Sequence, residues 1–159
     1  MPRRDDVELA PATSAERAEL LALMQADLAD ILDLVTKVMG LTWPEFLRLY
    51  ESRGEVRAMR LGGRAVGYTW IEHRGRELHL HAIFVLPDNR GKGIGSTTLA
   101  RLDQEFTGRA DVFELGVKQG NSGAQALYRR HGFVVERELP ELGFLVMRKP
   151  LGERLPPPA

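Results

Sequence analysis

The chain has 159 residues, of which 43% are hydrophobic and 28% charged, as is typical of one soluble domain with its own core. Its 22 Lys and Arg residues balance 22 Asp and Glu residues, and the lack of net positive charge argues against a nucleic-acid-binding protein. The absence of cysteine excludes disulfides, thiolate metal ligands and a cysteinyl acyl intermediate. No apolar run approaches the roughly 20 residues that span a bilayer, and no signal-peptide pattern is present. We therefore expect a cytoplasmic protein with no membrane partner.

The first part of the chain predicts one short strand and two helices. Residues 6–10 predict the strand. From residue 14 to about residue 34, apolar residues recur at helical spacing and form one wide face. A second helix is predicted over residues 42–50, with Thr42 as its N-cap.

The middle of the chain predicts three antiparallel strands. Residues 55–61 alternate between apolar and polar side chains, and the turn signal Gly62-Gly63 separates them from a second strand over residues 65–71. The third strand runs from Glu77 to Val85. These three segments are typical of a β-meander.

The last part alternates helices and strands. A helix ends near residue 106, a strand covers residues 111–117, a helix covers 121–130, and two strands cover 133–135 and 144–147. The order βααβββαβαββ predicts an α+β (mixed α/β) fold, in which helices flank a central mixed and mostly antiparallel sheet. One domain is expected over residues 1–152, followed by a flexible Pro-rich tail over residues 153–159.

The strongest local signal is a glycine-rich segment between the third strand of the meander and the next helix. It reads Val85-Leu86-Pro87-Asp88-Asn89-Arg90-Gly91-Lys92-Gly93-Ile94-Gly95-Ser96. Glycines allow the backbone to approach a ligand closely, and the free N–H groups and dipole of a first helical turn favour an anion. Arg90 and Lys92 add positive charge, so the segment predicts a pyrophosphate-binding loop.

This loop has three other interpretations. A Walker loop needs Ser or Thr after its lysine, and Lys92 is followed by Gly93, which excludes it. A dinucleotide fingerprint is closer, because Glu114 follows about 20 residues later, but its third glycine is missing at the right spacing. A plain strand-to-helix turn is the third interpretation.

Two blocks of this chain resemble the GNAT family of N-acetyltransferases. The family's coenzyme A loop, Arg/Gln-x-x-Gly-x-Gly/Ala, stands here as Arg90-Gly91-Lys92-Gly93-Ile94-Gly95. Its second pattern, Asn-x-x-Ala-x-x-Leu-Tyr and then Gly-Phe, runs from Asn121 to Phe133. The resemblance covers residues 55–149 and implies a GNAT-like fold. It also implies an acyl-CoA-dependent N-acetyltransferase that moves an acetyl group from acetyl-CoA to a primary amine by direct attack, without an acyl-enzyme and without a metal.

The resemblance implies a set of residues that bind acetyl-CoA. They are Ile83, Phe84, Val85, Arg90, Gly91, Lys92, Gly93, Ile94, Gly95, Ser96, Asn121, Ala124 and Tyr128. The N–H groups of residues 90–96 would hold the pyrophosphate, and the N–H of Val85 would point at the thioester oxygen. Asn121 also stands where a helix N-cap belongs, and the two roles are compatible.

Two residues are the expected catalytic groups. Tyr128 matches the family's general acid, which would protonate the departing CoA thiolate, although a packed core tyrosine with a solvated tip would show the same pattern. Glu77 stands where some family members carry a catalytic glutamate. His79 and His81 share its strand face and are further candidates for the base. Glu72 and Glu114 are secondary candidates for the general base, and some relatives lack an obvious base.

The acceptor is the part that the sequence defines least. The apolar residues 38–43 either line a pocket or pack, and a small amine, an amino acid, an antibiotic and a protein N-terminus are all compatible with the pattern. Two other classes of protein are also compatible with the sequence: a non-catalytic acyl-CoA sensor and a nucleotide-binding module. GNAT domains also pair as dimers, so a homodimer is one expectation among the possible oligomeric states.

Overall fold

The computed structural model describes residues 3–30 and 32–152 of the chain. The strands in this part are β1 (Glu8–Pro11), β2 (Glu55–Leu61), β3 (Arg64–Arg74), β4 (Glu77–Val85), β5 (Val112–Lys118), β6 (Val134–Leu139) and β7 (Phe144–Pro150). The helices are α1 (Ser14–Leu28), α2 (Leu32–Met39), α3 (Trp43–Ser52), α4 (Ile94–Phe106) and α5 (Ser122–Arg130), and short 3-10 helices cover Arg4–Asp6 and Pro87–Asn89.

The strands form one sheet in the order β1-β2-β3-β4-β5-β7-β6. All neighbouring strands in it are antiparallel except β4 and β5, which are parallel. Trp70 and Ile71 point to opposite faces of the sheet, as successive strand residues do. Trp70 belongs to the same buried cluster as Met24 of α1, whereas Ile71 belongs to the cluster that contains Leu102 of α4. The mixed, mostly antiparallel sheet with helices on both faces confirms the predicted fold class.

The helix predicted over residues 14–34 is divided into two helices. Helix α1 ends at Leu28 and α2 begins at Leu32. Lys118 of β5 donates from Nζ to the main-chain carbonyl of Asp27 and lies 3.3 Å from the Asp30 carboxylate. Lys118 therefore satisfies a free carbonyl at the C-terminal end of α1, where the helix dipole favours a cation. Residue 31 and the predicted tail over residues 153–159 lie outside the described residues.

Strand β4 carries one extra residue relative to β3. Trp70 pairs with Ala82 and the adjacent Ile71 pairs with Leu80, so His81 is inserted as a β-bulge. A bulge bends the strand that carries it and increases its local twist. The part of β4 after His81 therefore runs in a different direction from the part before it.

The bulge coincides with the end of the pairing between β4 and β5. The two strands are paired from Glu77 to Leu80 and from Val112 to Leu115, and the pairing goes no further although both strands continue. The edges of β4 and β5 therefore separate and open a cleft in the middle of the sheet. None of the helices within residues 3–30 and 32–152 has the length and apolar character needed to cross a membrane.

Candidate active site

A cavity of about 670 Å³ lies where β4 and β5 separate. Residues 83–85 of β4 and residues 115–118 of β5 form two of its walls. Arg90 of the glycine-rich loop and Asn121 and Tyr128 of the α5 region complete this side of the lining. Because β4 and β5 do not pair here, main-chain groups along their edges are available to a ligand.

The N–H of Val85 points into this cleft. The next residue, Leu86, donates its N–H to the carbonyl of Val66 at 2.8 Å, on the β3 side. Successive strand N–H groups point in opposite directions, so the N–H and the carbonyl of Val85 both lie on the cleft side. Arg90 donates from Nε to that carbonyl at 3.0 Å. The N–H of Val85 is thus left as a donor aimed at the cavity.

The glycine-rich loop ends in an N-terminal helical turn with free donors. Gly93 is the N-cap of α4 with φ of 79°, a left-handed conformation that favours glycine. Thr97 donates its N–H to the carbonyl of Gly93 at 3.0 Å. The N–H groups of Ile94, Gly95 and Ser96 come before this first helical bond and have no partner within the helix.

The loop combines several features that favour a phosphate group. A Cβ added at Gly95 would lie 3.6 Å from Leu127 Cδ2, an ordinary contact, so packing within the protein does not demand a glycine here. Gly91 has φ of 75° and Lys92 is exposed beside it. Free N–H donors, a lysine and the positive end of α4 form a site suited to a pyrophosphate.

Ser96 has a partner that the sequence did not indicate. Its Oγ lies 2.7 Å from Nε2 of His131 at the end of α5. Burial lowers the pKa of His131, and the positive charges of Lys149 and Arg130 lower it further. A neutral imidazole therefore positions the Ser96 hydroxyl beside the loop. A contact between residues 35 positions apart leaves no local pattern, so the sequence does not reveal this role of His131.

Tyr128 presents its hydroxyl to the cavity from an otherwise buried ring. The residue is only 6% exposed, and its ring packs edge-on against Phe133 at 5.8 Å. Burial raises the pKa of Tyr128 to about 12, so the hydroxyl stays protonated at neutral pH. Among the described residues, no protein group forms a hydrogen bond with this hydroxyl. A protonated phenol that lines a cavity can donate a hydrogen bond to an acceptor there.

Asn121 is the N-cap of α5 and also lies where it can contact a ligand in the cavity. Its Oδ1 accepts the N–H of Ala124 at 3.1 Å, so it is the N-cap of α5. The same residue lines the cavity. Ala124 itself packs against the core cluster below the helix.

Glu72 and His81 form a hydrogen-bonded pair in the wall of the same cavity. Nε2 of His81 lies 2.8 Å from Oε1 of Glu72, and the Trp70 ring packs against the imidazole at 4.3 Å. Burial lowers the pKa of His81, and the hydrogen bond to Glu72 raises it in part. Burial of Glu72 raises its own pKa, but the hydrogen bond to His81 and the charges of Arg74 and Arg53 bring that pKa below its ordinary value.

Glu77 does not belong to the residues that line the cavity, and its selection as the base stays a prediction. Its carboxylate lies 3.1 Å from Nε2 of His79 and 2.9 Å from Nη2 of Arg148. Glu114 lies 3.5 Å from the other ring nitrogen of His79. The physical reason is that β4 and β5 are still paired at Glu77, so the cleft has not yet opened at this level of the sheet.

A second cavity of about 520 Å³ adjoins the first and has a mostly apolar wall. Leu41 and Trp43 line it from the α2–α3 side, and Leu142 and Val146 line it from the β6–β7 hairpin. His81 borders both cavities. The apolar segment over residues 38–43 therefore contributes to a pocket through Leu41 and Trp43.

Comparison with known proteins identifies the family. Residues 28–133 match the acetyltransferase (GNAT) family. Because this match covers more than half of the chain, the chain belongs to the GNAT family of acetyltransferases. The family predicted from the two sequence motifs is confirmed.

Two curated relatives are similar over part of their length. The chain is 34% identical over 64 residues to the L-amino acid N-acyltransferase MnaT of Escherichia coli K12, which covers 40% of the chain and 37% of that protein. It is 30% identical over 87 residues to an L-methionine sulfoximine/L-methionine sulfone acetyltransferase of Pseudomonas aeruginosa, which covers 51% of each. The matches thus span about half or less of the relatives. Their names agree with the predicted enzyme class.

A solved structure shares the fold over nearly the whole chain. The PaiA N-acetyltransferase of Thermoplasma acidophilum, in complex with coenzyme A, matches with a TM-score of 0.67 and 15% identity. The match covers 91% of this chain and 98% of that one. The ligand of that protein agrees with the coenzyme A compound predicted for this loop.

The Glu72–His81 pair generates a prediction about titration. We expect His81 to titrate below the ordinary histidine pKa of about 6.5, because burial outweighs the effect of Glu72. Glu72→Gln should lower the pKa of His81 further, since the carboxylate that favours the imidazolium is lost. NMR titration of the histidine rings measures both values.

Glu77→Gln is the matched control for this titration, because Glu77 also holds a histidine of β4 but lies outside the cavity. Glu77→Gln should leave the pKa of His81 unchanged. An unchanged His81 titration in Glu72→Gln would contradict the assigned pair.

Proposed function

We propose that this protein transfers an acetyl group from acetyl-CoA to a small primary amine by direct attack, without an acyl-enzyme. The observation that carries the proposal is the convergence of three groups on one cavity. These are the free N–H of Val85, the protonated hydroxyl of Tyr128 and the Glu72–His81 pair. The glycine-rich loop lies at the same end of β4 and supplies donors for phosphate.

The parted strands suit the extended arm of a coenzyme A thioester. Amides of that arm would bond to the free edge of β4, as an added strand does at a sheet edge. The N–H of Val85 would then donate to the thioester oxygen as negative charge develops on it. One such donor contributes on the order of 3 kcal/mol to stabilising a transition state.

His81 is proposed as the base that receives the amine proton. Its Nε2 faces the Glu72 carboxylate, so we assign the proton to Nε2 and leave Nδ1 as the acceptor. Burial keeps the ring neutral near pH 7, as a base requires. Glu72 orients the ring and stabilises the imidazolium that forms, and His81 then releases the proton to solvent.

Tyr128 is proposed as the acid for the departing sulfur. The amine nitrogen forms a bond to the carbonyl carbon, the carbon–sulfur bond breaks, and the Tyr128 hydroxyl gives its proton to the thiolate. The products are the N-acetylated amine and the free CoA thiol. Tyr128 recovers a proton from solvent before the next turnover.

The second cavity supports a small acceptor that has an apolar group. Leu41, Trp43 and Leu142 offer an apolar surface next to His81. Arg53 lines the first cavity near the Glu72–His81 pair and suits a carboxylate beside the amine. An α-amino acid with an apolar side chain carries all three features, and both curated relatives are named for amino acids or their analogues.

The other classes of function are less well supported. A non-catalytic sensor of acyl-CoA needs neither a protonated Tyr128 nor a carboxylate-held His81 in the cleft. A nucleotide-binding module would use an acidic residue at the end of β5, whereas Glu114 lies within β5 and pairs with Arg148 at 3.2 Å. These positions favour an acetyltransferase.

The proposed function is tested by binding and turnover together. Calorimetry with acetyl-CoA should show binding that NAD and ATP do not reproduce. Release of free CoA should then depend on an added amine, and L-methionine or L-leucine should exceed the matching amines that lack a carboxylate. Acetyl-CoA binding without turnover on any amine would favour the sensor, and no acetyl-CoA binding would overturn the proposal.

Tyr128→Phe is expected to lower kcat by about 100-fold or more, because the proton for the leaving thiolate is lost. The KM for acetyl-CoA should change little. Tyr50→Phe is the matched control: its hydroxyl donates to the Arg17 carbonyl at 2.6 Å, and the residue does not line the cavity. It should reduce the free energy of unfolding by about 1 kcal/mol and preserve kcat. Full activity in Tyr128→Phe would contradict the assigned role.

The pH dependence of kcat/KM should reveal the base. Activity should rise with pH as His81 loses its proton, and His81→Gln should lower kcat/KM by about 100-fold or more. Glu72→Gln should lower the rate and move this rise to lower pH, since the pKa of His81 falls without the carboxylate. Glu77→Gln should leave the profile in place. A shifted profile in Glu77→Gln and an unshifted one in Glu72→Gln would reverse the assignment.

A further inference from the structure

The segment before β1 is fastened beside the glycine-rich loop. The 3-10 helix Arg4–Asp6 packs against α4. Val7 is fully buried and shares a cluster with Ile94, the first residue of α4. Arg101 of α4 also donates to the main-chain carbonyl of Asp5. A buried apolar contact and a hydrogen bond therefore place this segment at the N-terminal end of α4.

Arg4 lies directly against the turn that begins α4. A Cβ added at Gly93 would lie 2.7 Å from Nη1 of Arg4 and 2.8 Å from its Cδ. The missing side chain of Gly93 thus leaves the space that the Arg4 side chain occupies. The free N–H groups of the first helical turn follow Gly93 immediately.

The guanidinium of Arg4 is available to an anion. Its side chain is 58% exposed, and Asp5 is 3.8 Å away with a side chain that is 79% exposed. Such an exposed pair between neighbours is weak, and a phosphate competes with it readily. A guanidinium also presents a planar fork of donors that matches two phosphate oxygens.

The other arginine at the loop, Arg90, already has a partner within the protein. Arg90 donates from Nε to the carbonyl of Val85 and lines the cavity, so it supports the end of β4. Lys92 offers only a point charge. Arg4 is therefore the arginine that lies against Gly93 at the start of α4, and it comes from a segment that neither family motif includes.

We propose that Arg4 binds a phosphate of coenzyme A at this loop, so that the segment before β1 forms part of the CoA site. The proposal rests on the proposed function, because it adds a residue to the same acetyl-CoA site. The phosphate is one of two chemically similar groups, the pyrophosphate or the ribose 3′-phosphate.

The test measures binding of CoA to the full-length protein by calorimetry. Arg4→Ala should weaken CoA binding about tenfold or more, as expected for the loss of a charged hydrogen bond. It should raise the KM for acetyl-CoA and leave kcat nearly unchanged. Arg4→Lys should restore part of the affinity. Arg3→Ala removes the same charge one residue away and should bind CoA as the wild type does.

Dephospho-CoA, which lacks the 3′-phosphate, separates the two phosphate sources. If wild type and Arg4→Ala bind it equally, Arg4 contacts the 3′-phosphate. If the difference between them persists, Arg4 contacts the pyrophosphate.

Three results would overturn the role of Arg4. Unchanged CoA affinity in Arg4→Ala would do so, as would an equal loss in Arg3→Ala, which would indicate a general charge effect. A lower midpoint of thermal unfolding for ligand-free Arg4→Ala would assign the loss to folding. Failure of the wild type to bind CoA would instead overturn the proposed function itself.

Discussion

The site depends on the bulge at His81 in β4. One extra residue there ends the parallel pairing with β5 and opens the centre of the sheet. In a regular sheet, β4 and β5 would remain hydrogen-bonded to each other along their whole length, and no N–H of β4 would face a ligand. The same insertion places the imidazole of His81 in the cavity wall. Substrate access, the donor at Val85 and the position of the proposed base therefore follow from one local irregularity.

The two histidine–carboxylate groups on β4 show how position decides chemistry. His81 with Glu72 borders the cavity and has a lowered pKa because it is buried. His79 lies between Glu77 and Glu114, where the strands remain paired. The two groups contain similar residue types, but of the two only the Glu72–His81 pair at the bulge lines a cavity large enough for a ligand. The second group ties β4, β5 and β7 together through the Arg148 guanidinium.

The sites proposed for the two reactants lie on different sides of the cleft. On the α4 side, the Arg4 side chain lies against Gly93 and Ser96 is held by His131, at the end of the cleft where the phosphates are proposed to bind. On the α2–α3 side, Leu41 and Trp43 close an apolar pocket that meets the first cavity at His81. A thioester and an amine entering from these two sides would meet beside the base. This arrangement also separates the charged and the apolar parts of the reactants.

The sequence by itself determined the features that depend on neighbouring residues. The meander strands, the N-caps Thr42 and Asn121, and the left-handed glycine that begins α4 all follow from local conformational preferences. The resemblance of the two motif blocks was enough to predict the family, and the order of the helices and strands predicted the fold class. The extent of β2 and β4 was also predicted to the residue.

Only the tertiary structure decided which polar residues meet. Glu72 and His81 come together across a hairpin whose register is shifted by the bulge, and period-two alternation does not reveal such a shift. The break after α1 involves Lys118 from a distant strand. Arg4 and Gly93 meet because Val7 is buried against α4. Contacts between distant segments depend on the packing of the whole core, and no local pattern of residues encodes them.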